Sequence, residues 1–205
     1  MRVSAGGGNV AQDDPARWHR VLEINALGTF HGCRAVLARM QARGGEGHIV
    51  NVASLSGLRS NPGIASYDAS KFAVVGLSDA LRQELAGTPI GLSVVYPGMT
   101  RTGFVGNSRS ILEGATGSPI SADSGVGNIL AAGMDPNKVA ERVLRGIAAS
   151  EYHIFTQDDW KPAIQSVFDE RIAAFGENAD ADYHEDIAAL QTRIAQTQLA
   201  AKPRG

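Results

Sequence analysis

Two short apolar runs set the fold. Residues 48–53 (HIVNVA) and 92–96 (LSVVY) are rich in β-branched side chains and lack the polar alternation of a half-exposed strand. Such runs belong to strands covered on both faces, as in a parallel sheet. Between them, residues 66–85 carry helical spacing and end at Gly87-Thr88-Pro89. Strand, helix, strand in that order predicts a βαβ crossover and an α/β fold.

The flanking segments extend this pattern. Asp14-Pro15 reads as an N-cap followed by the first helical residue. The helix that follows runs to about residue 40. Trp18, Val21, Leu22, Asn25, Gly28 and Gly32 form one stripe on it, and Leu27, Phe30 and Leu37 a second. A helix apolar on more than one side is covered by more than one neighbour. Asn25 is the odd member, because a buried amide needs partners. Gly44-Gly45-Glu46-Gly47 ends the helix. Residues 99–134 hold many Gly and Ser with no strong period, and a segment this long without clear structure is usually functional or mobile. Asp135-Pro136 opens another helix, with Val139, Val143, Leu144 and Ile147 inward. Residues 152–156 (YHIFT) alternate like a strand. Asp158 or Asp159 caps a helix packing Ile164, Val167, Phe168, Ile172 and Phe175. A polar linker at 177–181 precedes a last amphipathic helix through Tyr183, Ile187, Leu190 and Ile194.

Composition narrows the function. A chain of 205 residues, 43% apolar and with net charge −2, suits one globular domain with a tail. The near-neutral balance favours neither nucleic acid nor an anionic membrane as partner. No run of about 18 apolar residues is present, and no export leader is legible. Cys33 is the single cysteine, so no internal disulfide forms, and a cytoplasmic site is expected. Its helical, apolar setting predicts a buried, inert thiol. No Cys/His spacing fits zinc, and no metal is expected. His31 and His153 show no partner in sequence, so packing roles are expected for both.

The chemistry lies in Tyr67-Asp68-Ala69-Ser70-Lys71, with Ser54 thirteen residues upstream. A tyrosine and a lysine four apart share one helix face. A phenol has an ordinary pKa near ~10 and is a poor base at neutral pH, but a neighbouring ammonium favours the phenolate. A serine hydroxyl arriving from a strand end can hold a carbonyl or alcohol oxygen beside it. That is a kit for reversible proton transfer to a carbonyl oxygen. By itself Tyr-x-x-x-Lys is a common surface pair, and Ser54 could cap a turn, Asn25 satisfy backbone and Thr102 serve as an ordinary loop hydroxyl.

The stretches NALG (25–28), HIVNVAS (48–54), SYDASK (66–71) and VVYPGMTRT (94–102) together resemble the short-chain dehydrogenase/reductase family, over about residues 14–176. The resemblance implies a partial Rossmann-like, doubly wound parallel sheet of about three strands, with flanking helices and a C-terminal helical tail. Residues 1–176 would be the C-terminal portion of the family domain and 177–205 the linker and tail. It implies Tyr67 as general acid/base, Lys71 as the cation that tunes it and binds the nicotinamide ribose, Ser54 as the group orienting the substrate oxygen, and Asn25 as part of a proton relay. Pro97, Gly98 and Thr102 match the stretch that meets the nicotinamide. Thr100 stands where the family commonly has Val or Ile. The implied activity is hydride transfer between NAD or NADP and a secondary alcohol or ketone. The implied partners are that small molecule and a second copy, through helices 14–40 and 66–85.

One departure stands out. The family opens with a strand, a TGxxxGxG turn and a helix that receive the pyrophosphate. Here Gly6-Gly7-Gly8 follows no strand, and Gly125-Val126-Gly127 lacks a third glycine. The expectation is an N-terminally truncated member that binds dinucleotide weakly alone. A non-catalytic chain, a partner subunit of a related dehydrogenase, or a relative running epimerisation or dehydration are the alternatives.

Overall fold

The computed structural model describes residues 9–116, 132–175 and 187–200. The chain divides into two compact units, 1–164 and 165–205. The first unit opens with α1 (Pro15–Leu22), capped by Asp14, whose side chain accepts from the Ala16 amide. A single π-helical turn (Glu23–Leu27) joins α1 to α2 (Gly28–Arg43). Gly44 ends α2 at φ 70°, a left-handed conformation that glycine adopts without strain. Then follow β1 (Gly47–Val52), a 3₁₀ turn (Leu55–Gly57), α3 (Ala65–Glu84), β2 (Ile90–Tyr96), α4 (Phe104–Thr116), α5 (Pro136–Ala148) and β3 (His153–Phe155).

The three strands form one parallel sheet in the order β1-β2-β3. Gly47 faces Ile90 and Val52 faces Val95, while Val94 faces His153 and Tyr96 faces Phe155. All three strands point the same way, so Ser54, Pro97 and Thr156 leave the sheet at its carboxyl edge. Open parallel sheets bind ligands at that edge.

Strand side chains on one face of the sheet, covered by residues of α2 and α3, make the core. Cys33, Ile49, Leu81, Leu85, Ile90 and Leu92 form one cluster, and Ala53, Val74, Val94 and Tyr96 another. Cys33 is buried as expected, and it has a partner: its thiol donates to Asn51 Oδ1 at 3.3 Å. Asn51 in turn donates to Ser78 Oγ at 2.9 Å, and Ser78 to the Val74 carbonyl at 2.7 Å. This is a buried polar chain with its partners in place.

His153 also has a partner that its sequence neighbours do not show. Its Nδ1 lies 3.1 Å from the Tyr96 hydroxyl, whose ring stacks on Phe155 at 4.7 Å. Burial pushes the Tyr96 phenol well above its ordinary range and the His153 imidazole below its own.

Three expectations change. The segment 99–134 contains a helix, α4, with Leu112 fully buried against Val21. The rest of that segment, 117–131, including Gly125-Val126-Gly127 and Ile129-Leu130, lies outside the described residues, as do Gly6-Gly7-Gly8 and the linker 177–181. On α5, Leu144 is 65% exposed rather than inward. The next helix, α6, spans Lys161–Ala173, and Phe168 and Ile172 on it and Phe175 after it are exposed rather than packed. In the second unit α7 covers Ile187–Ala200, whereas Tyr183 lies outside the described residues. No helix among the described residues is long and apolar enough to cross a membrane.

Candidate active site

α3 presents the central pair. Tyr67 and Lys71 lie one turn apart, and the Lys71 ammonium sits 5.4 Å from the centroid of the Tyr67 ring. Lys71 is 1% exposed, and its Nζ donates to the Val52 carbonyl at 3.3 Å, at the end of β1. An ammonium so deeply buried must be held by acceptors and electron-rich faces. Tyr67 is only half-buried, with Phe104 of α4 tilted against its ring at 5.9 Å.

Ser54 enters from the sheet. It follows β1 in extended conformation, and its Oγ accepts from the Ser56 amide at 3.2 Å. The 3₁₀ turn then lies directly on α3. A Cβ on Gly57 would stand 2.9 Å from the Lys71 carbonyl oxygen, so only glycine allows this approach. The end of β2 is tied to the same turn, because the Leu55 amide donates to the Pro97 carbonyl at 3.3 Å.

Asn25 arrives through the π turn. The Gly28 amide reaches back five residues to the Glu23 carbonyl instead of four. Such single π turns are frequent at functional sites. Asn25 is buried, and its Nδ2 donates to Ser70 Oγ at 3.0 Å; Ser70 donates to the Tyr67 carbonyl at 2.6 Å. The Thr29 hydroxyl donates to the Asn25 carbonyl at 2.7 Å. Ser70 is the residue sequence reasoning missed. The signal was there, since Asn25 needed a buried partner and Ser70 immediately precedes Lys71.

The structure thus brings Asn25, Ser54, Tyr67, Lys71, Pro97 and Gly98 around one end of α3 and the carboxyl edge of the sheet. Gly98 is braced from β3: its amide donates to Thr156 Oγ1 at 3.3 Å, and a Cβ there would collide with the Gln157 side chain. Gln157 in turn donates to the Met99 carbonyl at 3.0 Å. Thr156 and Gln157 were not legible beforehand, because only folding sets them beside Gly98. Thr102 stands apart. It is exposed, and no hydrogen bond ties it to the other six.

A phenol beside an ammonium, with a serine hydroxyl at the same sheet edge, can exchange a proton with an oxygen held between them. An ammonium donor also suits the hydroxyls of a ribose. Among the described residues this donor set fits the nicotinamide end of a dinucleotide. No described glycine-rich turn stands ready for its pyrophosphate.

A family model described as short chain dehydrogenase matches residues 3–112. Dehydrogenase/reductase SDR family protein 7-like of Drosophila melanogaster is 37% identical over 139 residues, which are 68% of this chain and 40% of that protein. 3-ketodihydrosphingosine reductase of Dictyostelium discoideum is 34% identical over 149 residues, covering 72% of this chain and 42% of that one. A short chain dehydrogenase/reductase from Burkholderia phymatum, crystallised with NAD, superposes with a TM-score of 0.79 at 25% identity, over 89% of this chain and 68% of that one. The chain spans about two fifths of the length of these curated relatives.

Proposed function

The chain belongs to the short-chain dehydrogenase family, and on that premise we propose that it carries the proton-transfer site of a NAD- or NADP-dependent oxidoreductase acting on a secondary alcohol or its ketone. The observation that carries this reading is the buried Lys71 ammonium over the Tyr67 ring, on a helix whose Lys71 segment packs against the turn following Ser54. When bound, the nicotinamide supplies or accepts the hydride.

The residues do the rest. Tyr67 gives a proton to the ketone oxygen, or takes one from the alcohol. The Lys71 ammonium stabilises the negative charge left on the phenol oxygen. Ser54 Oγ already accepts from the Ser56 amide, so its own O–H is the group that meets the substrate oxygen. Asn25 and Ser70 fix the first turn of α3 from behind, and Asn25 would take part in a relay from Lys71 toward solvent. Lys71 would also hold the ribose, and Pro97, Gly98 and Thr102 would border the nicotinamide. Phe104 walls the site with an apolar ring, which suits an apolar alcohol or ketone.

The test is turnover by the purified chain on a panel of ketones with NADH or NADPH, followed by loss of the reduced-nicotinamide absorbance. Turnover above the buffer rate with either cofactor supports the reading. A flat trace with both overturns it for this chain alone and leaves the partner-subunit alternative.

The family reading extends to a cytoplasmic protein that pairs with itself through the helices of 14–40 and 66–85. Leu27 and Phe30 support this: three residues apart, they share a helix face, and both are exposed, Phe30 by 42%. Neighbouring exposed apolar side chains of this kind suit an association surface. The expected result is a dimer or larger species in sedimentation at micromolar concentration, shifted toward monomer by Phe30→Asp. A wild-type chain that sediments only as monomer overturns the pairing.

A further inference from the structure

Asp68 follows Tyr67 and is 2% exposed. It lies about 100° round the helix from Tyr67 and three residues before Lys71. Its Oδ2 accepts from the Asn61 amide at 2.7 Å, while Oδ1 is buried without a hydrogen-bond partner. Burial pushes this carboxyl above its ordinary range, against the opposing pull of the Asn61 amide, the Ser56 side chain and the Arg59 guanidinium.

The segment that Asp68 grips is the one that carries Ser54. From Ser54 the chain makes a tight turn, with the Gly57 amide donating to the Ser54 carbonyl at 2.9 Å and the Leu58 and Arg59 amides to the Leu55 carbonyl at 3.0 and 3.2 Å. It then runs to Asn61, where the carboxylate takes its amide. The loop is therefore pinned at two points: to the sheet through Leu55 and Pro97, and to α3 through Asn61 and Asp68. The second pin springs from the residue next to Tyr67. The Asn61 amide is part-buried, and without Asp68 it loses this acceptor.

Resting on the proposed oxidoreductase reading, we propose that Asp68 is a positioning residue that holds the Ser54 loop in register with Tyr67 and Lys71. It touches no reacting atom and acts through Asn61 and the turn at 55–57. What matters is an acceptor oxygen at that place, not its charge. Asparagine keeps the acceptor and removes the ionisable group, whereas alanine removes both. The groups facing the carboxyl are the Asn61 amide, Ser56 and Arg59, so its ionisation is felt first in this loop.

The experiment compares wild type, Asp68→Asn and Asp68→Ala in the full chain. In Asp68→Ala, hydrogen exchange across 54–61 is expected to speed up about tenfold or more and kcat to fall by a similar factor or more, with little change in the KM for the cofactor. Asp68→Asn is expected to restore both to near wild type. In the wild type alone, the Asn61 amide resonance is expected to shift with pH with a midpoint above the ordinary carboxylate range, and Asp68→Asn abolishes that shift. Asp68→Ala that exchanges and turns over like wild type overturns the proposal, and so does one that lowers only the melting temperature. If Asp68→Ala fails to fold, Asp68→Asn decides the matter, because exchange across 54–61 or a kcat far from wild type in that variant overturns the proposal. Absence of turnover in the wild type defeats the oxidoreductase reading instead, and the exchange measurements still judge Asp68.

Discussion

Replacing Tyr67 with phenylalanine is expected to cut turnover by about 10²–10⁴-fold, the range that a positioned general acid or base contributes. The fold should survive. Only the hydroxyl is lost, from a ring that is half-buried, and the contacts of that ring with Phe104 and the Lys71 ammonium do not depend on it. Steady-state rates with the best ketone of the panel, beside a thermal melt of each protein, provide the check. A variant that keeps a tenth or more of wild-type turnover removes Tyr67 from the chemistry. A variant that loses turnover and melts early would show that the hydroxyl is structural.

Gly57→Ala is expected to weaken the protein by about 1–3 kcal/mol, as overfilling a close-packed place does. The added methyl would stand 2.9 Å from the Lys71 carbonyl oxygen, 3.0 Å from Val75 Cγ2 and 3.2 Å from the Lys71 carbonyl carbon. Two of these are backbone atoms of α3 and cannot swing aside. The turn itself must lift, and Ser54 at its head lifts with it. A displacement on the order of 1 Å costs about 10²-fold where groups must be aligned. The urea midpoint and kcat should therefore fall together. Gly32→Ala serves as control, because a methyl there meets nothing within 4 Å. An unchanged midpoint for Gly57→Ala would mean that the turn and α3 are not in the contact described.

Particular residues explain what the sequence disclosed. The strands were legible because 48–53 and 92–96 are short, mostly apolar and rich in β-branched residues, and observed β1 (Gly47–Val52) and β2 (Ile90–Tyr96) differ from those runs only at their ends. Tyr67 and Lys71 were legible because helical spacing alone puts them on one face. Asp14 and Asp135 were legible as caps because each precedes a proline, and both side chains accept from the amide two residues on. Helix α4 was not legible, since Gly106, Gly114 and three serines or asparagines dilute its period, and its anchor Leu112 finds Val21 only in space. The π turn left no mark in residue types, because the backbone bond from Gly28 to Glu23 can be made by any residue. Hydrogen bonds across long separations, such as Asn25 to Ser70 or Gly98 to Thr156, were equally silent.

The π turn has a consequence beyond Asn25. One extra residue in a helix advances everything after it by about 100° around the axis. Before the turn, Val21 meets Leu112 of α4; after it, Cys33 meets Asn51 of β1. An unbroken ladder would hold one of these two seams and swing the other out of reach. That irregular turn is therefore a phase adjuster, allowing one rod to mesh with a cover on one side and a sheet on the other.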